Sequence, residues 1–110
     1  MTTTIAVLIP PHYAPDQEGG QYQVTGQKTS IDKFTAYNAS GAPASLTVKL
    51  TQQNGVGDAS TIIVVKTIQP GGTYTFPEVV GHVLDSGGSI LVQASAPNAL
   101  AIRASGRQFS

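Results

Sequence analysis

Leu46-Thr47-Val48-Lys49-Leu50-Thr51 is the stretch on which the reading of this chain turns. Apolar and polar residues alternate with a period of two, so the three apolar side chains leave one side of an extended backbone. A helix would scatter them around its circumference. This is a strand with one face on a core and the other toward water. The same alternation recurs outward from it. Ile90, Val92 and Ala94 alternate with Leu91, Gln93 and Ser95, and Leu100, Ile102 and Ala104 with Ala101, Arg103 and Ser105. Within segment 29–38, Phe34 and Ala36 oppose Lys33, Thr35 and Tyr37; segment 20–26 repeats the pattern more weakly through Tyr22 and Val24.

The connections carry turn chemistry. In Gln69-Pro70-Gly71-Gly72 the proline presets φ at the second position and a glycine accepts positive φ at the third, which is a type II turn. Ser86-Gly87-Gly88 and Ala96-Pro97-Asn98 punctuate in the same way, each before a strand pattern. Short strands at even spacing predict an all-β chain, a single antiparallel β-sandwich of about eight strands with jelly-roll or Ig-like connectivity. One segment departs from this. Pro77-Glu78-Val79-Val80-Gly81-His82-Val83-Leu84 has proline and glutamate where a first helical turn favours them, predicting a short helical turn near 78–84 that closes at Gly87.

Two segments do not alternate cleanly. Ile62-Ile63-Val64-Val65 is apolar on both faces, so Ile63 and Val65 need a cover. Either this is a central strand under a loop or the helical turn, or its outer face meets another subunit. Ile5-Ala6-Val7-Leu8-Ile9 precedes a long loop at 10–20 containing Pro10, Pro11 and Pro15. It is either an ordinary first strand or an arm that pairs with the sheet edge of a neighbouring protomer. The division that follows is an N-terminal strand or arm with its loop at 1–20 and a sandwich domain at 21–110. On the subunit readings of these two segments, Ile5, Val7, Ile9, Ile63 and Val65 are the subunit-contact residues, and on the arm reading a chain lacking residues 1–11 folds as a monomer.

Composition bounds the function. Only 11% of the 110 residues are charged, six acids against six bases, while 40% are hydrophobic. Soluble domains average about 25% charged, so Thr, Ser, Gln, Asn and Ala fill most outward positions here. Such a surface packs against a neighbour without burying unpaired charge. A net charge of zero argues against a nucleic-acid partner, and Arg103 with Arg107 do not by themselves make a basic patch. No apolar run approaches the roughly 20 residues of a membrane span. The apolar stretch at Ile5–Ile9 lacks a positive flank and is too short for a secretory core, so the chain is expected in the cytoplasm where it is made. There is no cysteine for a disulfide or thiolate site.

Catalytic candidates are thin. His12 and His82 stand seventy residues apart, each without a partner motif. His12 with Asp16 and Glu18 offers a nitrogen and oxygens, but at no recognised metal-ligand spacing. Gly20 to Thr29 resembles a phosphate loop superficially, yet five residues separate its glycines and Gln27 intrudes before Lys28. No Gly-x-Ser-x-Gly elbow exists around Ser86 or Ser105. Asp32, Asp58, Glu78 and Asp85 are scattered. Asn38-Ala39-Ser40 fits a glycosylation acceptor but reads as a turn. The chain is therefore expected to be no enzyme and to carry no cofactor or metal.

The ordering of these pieces resembles a known family. Phe34-Thr-Ala-Tyr-Asn38 leads to a turn of small residues, Ala39-Ser-Gly-Ala-Pro-Ala44, then to Ser45-Leu-Thr-Val-Lys-Leu50. A polar loop, Ile62 to Ile68, Gln69-Pro-Gly-Gly-Thr-Tyr74, Val83-Leu-Asp-Ser-Gly-Gly-Ser-Ile90 and Leu100-Ala-Ile-Arg-Ala-Ser-Gly106 follow. Over about residues 22–107 this is similar to the small β-sandwich virion structural proteins of tailed bacteriophages, found among head decoration, neck and tail-associated components. The resemblance carries no catalytic residues and does not extend to residues 1–20. It implies a non-enzymatic virion protein made in the host bacterial cytoplasm. Its role would be a capsid decoration (cement) protein acting as a symmetric homo-oligomer on the head, or a neck, collar or tail-associated ring protein at the head–tail junction. Its partners would be copies of itself and other virion proteins such as the major capsid protein, not nucleic acid or membrane. A sandwich that binds carbohydrate on a host surface is the competing class; it requires Tyr13, Tyr22 and Tyr37 to share a face, which alternation alone does not decide.

Overall fold

A computed structural model describes residues 3–52 and 61–109. Nine strands are described: β1 (Thr3–Tyr13), β2 (Gly19–Gln23), β3 (Lys28–Asn38), β4 (Ala44–Thr51), β5 (Ile62–Ile68), β6 (Thr73–Tyr74), β7 (Val83–Asp85), β8 (Ser89–Ala94) and β9 (Leu100–Phe109). All pairings are antiparallel. One sheet runs β1-β9-β3-β6, with β7 also on β3; the other runs β2-β8-β4-β5. The all-β sandwich expected from the alternation is the fold. The alternating segments put their apolar sets inside: Leu46 and Val48, Ile90 and Val92, Leu100 and Ile102, Phe34 and Ala36 are all buried.

Connectivity resolves the choice that the sequence left open. β9 occupies one side of β3 from Lys28 to Asn38, so β6 and β7 lie end to end along the other. Counted as one interrupted strand, they reduce the total to eight and make the pairs nest: β1 with β9, β2 with β8, β3 with β6 and β7, β4 with β5. A chain doubled on itself in four nested pairs and folded into two sheets is a jelly roll.

The interruption is where a helical turn was predicted over 78–84, and that expectation is corrected. Among the described residues there is no α-helix. The N–H groups of Val79 and Val80 both donate to the Phe76 carbonyl at 3.0 and 3.2 Å, forming a single turn that Gly81 ends at φ 93°. Gly81 N–H then donates to Ile31 O, and Val83–Asp85 runs as strand against Ser30–Lys28. One hydrogen-bonded turn is too short to propagate, and the open edge of β3 offers residues 81–85 a full ladder instead. The turn carries Phe76 and Val79 into the core. Phe76 holds φ at 49°, unusual for a bulky residue. Its ring packs edge-on against Phe34 at 5.1 Å and Tyr74 at 4.8 Å, contacts that offset the backbone cost.

The two segments that do not alternate cleanly also resolve. Ile62–Val65 is not a central strand: β5 is the edge of its sheet, with Ile63 the extra residue of a bulge opposite Val48 and Lys49. And Thr3–Tyr13 pairs with β9 of the same sheet, leaving only residues 14–18 between β1 and β2. Leu8 and Ile9 are buried in the core. Removing residues 1–11 would therefore take core side chains and an edge strand away, and such a chain is expected to unfold rather than remain a folded monomer.

The predicted type II turn forms: Gly71 has φ 73° and Gly72 N–H donates to Gln69 O at 2.9 Å. Beyond it, Lys66 Nζ stands 4.7 Å over the Tyr74 ring, and the Tyr74 hydroxyl donates to the Glu78 carboxylate. That hydrogen bond lowers the Glu78 pKa, with its own backbone and Lys66 adding to the effect, and the same bond raises that of Tyr74. The signs follow from linkage. The glutamate's contribution is present above its unfolded pKa and lost as pH falls through the lowered value. The tyrosine's is present below its unfolded pKa and lost as pH rises through the raised one. Tyr74→Phe is expected to move the Glu78 titration back up toward an ordinary glutamate in an NMR pH series; an unmoved midpoint would show that the phenol is not its cause.

Candidate functional site

The outer face of the β1-β9-β3 sheet is fixed by register. Directly opposed residues of antiparallel neighbours point to the same side. Tyr13 and Tyr37 are both opposite Ala101, Thr35 is opposite Arg103, and Val7 and Lys33 are both opposite Ser105. Farther along, Ile5 and Ser30 oppose Arg107, and Lys28 opposes Phe109. The inward rows between them, such as Ala36 with Ile102 and Phe34 with Ala104, are buried.

This alignment concentrates charge that composition spreads out. Four of the chain's six basic residues, Lys28, Lys33, Arg103 and Arg107, share this face. Asp32, the extra residue of a bulge in β3, meets Arg107 in a two-point ion pair at 3.2 Å, and Asp85 lies opposite Lys28. Among the described residues Lys33 and Arg103 have no ion pair. They line a hollow of about 260 Å³ with Val7, Thr35 and Ser105, and no carboxylate reaches it. A second hollow of about 500 Å³ lies toward the other end, between Lys28, Ser30, Val83, Arg107 and Phe109. A neutral chain thus has a cationic face, which the pairing of Arg103 and Arg107 in sequence did not reveal.

The expected contact residues divide. Ile5 and Val7 are 84% and 60% exposed on β1, the outermost strand of its sheet. Ile9 is fully buried, because the extra residue Leu8 shifts it onto the inner face opposite Ala104; as a subunit contact it is corrected to a core residue. Val65 is exposed on β5, at the edge of the other sheet, while Ile63 is half-buried and packs against the core. The five residues do not form one patch. Ile5 and Val7 are the pair that remains together.

The tyrosines divide as well. Tyr22 turns inward on the other sheet, its hydroxyl bonded to Thr29 Oγ1 and to Gln108 Nε2, both at 2.8 Å, so the expected three-tyrosine platform is corrected to a pair. Tyr13 and Tyr37 share the outer face on either side of Ala101, 48% and 44% exposed. Alternation assigns Tyr37 its side, but only the register brings Tyr13 alongside.

Elsewhere, His12 and Glu18 are engaged structurally. His12 bonds through Nδ1 to Pro10 O at 2.6 Å and through Nε2 to Gln21 Oε1, and Glu18 pairs with Lys49. Among the described residues no three His, Cys, Asp or Glu side chains cluster to hold a metal; Asp58 lies outside them. The Asn38 side chain is completely buried and so cannot receive a glycan in the folded chain. Compared with protein-family models, curated proteins and solved structures, the chain matches none.

Proposed function

We propose that this protein is a non-enzymatic structural subunit of a tailed-phage virion, a capsid decoration protein that acts in several copies on the head. The observation that carries the reading is the free edge of β1. From Thr3 to Ile9 it contains no charged residue, and it presents Ile5 and Val7 to solvent. An edge strand is a row of unpaired backbone donors and acceptors, and edges are usually guarded by lysine, proline or bulges. Here Pro10 and Pro11 and the bulge at Leu8 guard only the second half. The first half is a template for pairing with a second copy or with a neighbouring virion protein. The jelly-roll connectivity adds an analogy of architecture, since viral capsid domains use it, and the scarcity of charge elsewhere permits close packing.

Native mass spectrometry at physiological salt tests this. A dimer or trimer is expected for decoration; six or twelve subunits would move the protein to a ring at the neck or tail. Ile5→Lys combined with Val7→Lys is expected to yield monomers with an unchanged fold, because both side chains are exposed and lysine guards edges. A wild-type chain that stays monomeric at high concentration, or a double variant that assembles normally, would overturn assembly through β1.

A further inference from the structure

We infer that the outer face of the β1-β9-β3 sheet binds an acidic saccharide, with Tyr13 and Tyr37 against the sugar rings and Lys33 and Arg103 on its carboxylate or sulfate groups. The inference does not depend on the assembly reading: backbone pairing at the β1 edge leaves the β9 and β3 part of this face open, and Val7 is the side chain that both readings use.

The tyrosines supply the first argument. Of the four in the chain, two have structural employment: Tyr22 in its inward hydrogen bonds and Tyr74 between Phe76, Lys66 and Glu78. Tyr13 and Tyr37 have none of this, and their hydroxyls have no hydrogen-bond partner among the described residues. They flank Ala101, whose small side chain leaves the floor between the rings low. With neighbouring strands about 4.8 Å apart, the two tyrosines are roughly 10 Å from one another, the length of a disaccharide. An amphipathic ring with a free hydroxyl suits a ligand that has both C–H faces and hydroxyl groups.

Charge supplies the second. The next rows of the register hold Arg103 with Thr35 and then Lys33 with Ser105, so the hollow they line begins one row along the same face from the aromatic pair. Two cations with no ion pair, two hydroxyls and no acid select an oxyanion, and a guanidinium binds carboxylate or sulfate through two parallel hydrogen bonds. At about 260 Å³ the hollow is below the size of most drug-like sites and suits one charged sugar substituent. A nucleic-acid strand would need a longer run of free cations, whereas Arg107 is held by Asp32 and Lys28 faces Asp85.

The test is an NMR titration of the intact protein with digalacturonate and a sulfated disaccharide, using neutral lactose as the control. The acidic sugars are expected to bind at least about tenfold more tightly than lactose, shifting the amides of Tyr37, Ala101 and Arg103. Lys33→Gln with Arg103→Gln should remove that preference, and Tyr13→Ala with Tyr37→Ala should remove binding altogether. All four side chains are on the surface, so thermal melts should stay close to wild type and separate lost binding from lost folding. The inference fails if neither acidic sugar saturates the shifts or if lactose binds equally well. It fails too if binding survives loss of both tyrosines, or if a short single-stranded oligonucleotide occupies the same face more tightly.

Discussion

A Gly106→Ala chain is expected to lose about 3 kcal/mol or more of folding stability, at the upper end of overpacking changes. Gly106 is in the middle of β9, between Ala6 of β1 and Ile31 of β3. A Cβ added there would lie 2.1 Å from the Ser30 carbonyl oxygen and 2.9 Å from Leu8 Cδ1. Leu8 could shift, but the Ser30 carbonyl is backbone. It moves only if β3 separates from β9, and β3 is held there by the ladder and by the Asp32–Arg107 pair. Glycine is thus required by the close approach of a neighbouring strand, not by an unusual φ. Gly41→Ala is the control, since a Cβ there meets nothing within 4 Å. Urea unfolding should show a much lower midpoint for Gly106→Ala at an unchanged slope, and a midpoint near wild type for Gly41→Ala. If the two variants behaved alike, the close contact would not exist in the folded chain.

Asn38→Asp should be comparably severe although only one atom changes its chemistry. The Asn38 side chain is wholly buried and uses all its hydrogen-bonding capacity. Its Nδ2 donates to the carbonyls of Ala42 and Ile68, each at 2.8 Å, and its Oδ1 accepts from Ser40 N–H at 2.9 Å and Ser40 Oγ at 2.7 Å. It ties the turn after β3 to the end of β5, across thirty residues. Aspartate keeps the acceptor side and loses both donors, leaving two carbonyls facing a carboxylate. Buried unsatisfied groups cost about 1–3 kcal/mol each, and more for a charge, so a loss of about 3 kcal/mol or more is expected at neutral pH. Protonation would restore one donor. The variant's folded-state pKa should therefore rise above its unfolded value, and its deficit should shrink as pH falls through that raised value. Chemical denaturation at neutral and acidic pH reads both effects; a deficit that does not vary with pH would refute the account.

Both residues were visible in sequence without their roles. Asn38 ended a strand pattern and began an acceptor-like triplet, which read as a turn; nothing local named Ile68 as its partner. Gly106 closed the Leu100–Ser105 alternation and gave no sign that a neighbouring carbonyl lay against it. The candidate face behaves similarly. Parity along each strand put Lys33, Thr35 and Tyr37 on one side of β3 and Arg103 and Ser105 on one side of β9. Which side of β3 meets which side of β9, and at what offset, depends on a bulge at Asp32, and the match of β1 to β9 depends on two more, at Leu8 and between Ile9 and His12. Each adds a residue to its strand, and a one-residue slip moves every later side chain to the other face. Ile9 shows the effect: simple alternation from Ile5 and Val7 would face it outward, but the residue inserted at Leu8 turns it into the core.

By itself, then, the sequence determined what depends on neighbours along the chain: period-two alternation, the Pro70-Gly71 turn, and with them an all-β sandwich of about eight strands. Tertiary structure decided what depends on partners far away in the chain. It chose the jelly-roll nesting, turned the expected helical segment into a tucked turn between β6 and β7, and made β5 an edge. It also gathered four scattered cations and two tyrosines onto one face of a neutral protein. The physical reason is that strand pairing is long-range. A helix closes its hydrogen bonds within four residues, so its surface can be read from local spacing. A strand closes them with whichever segment lies beside it, and only that pairing determines which side chains meet.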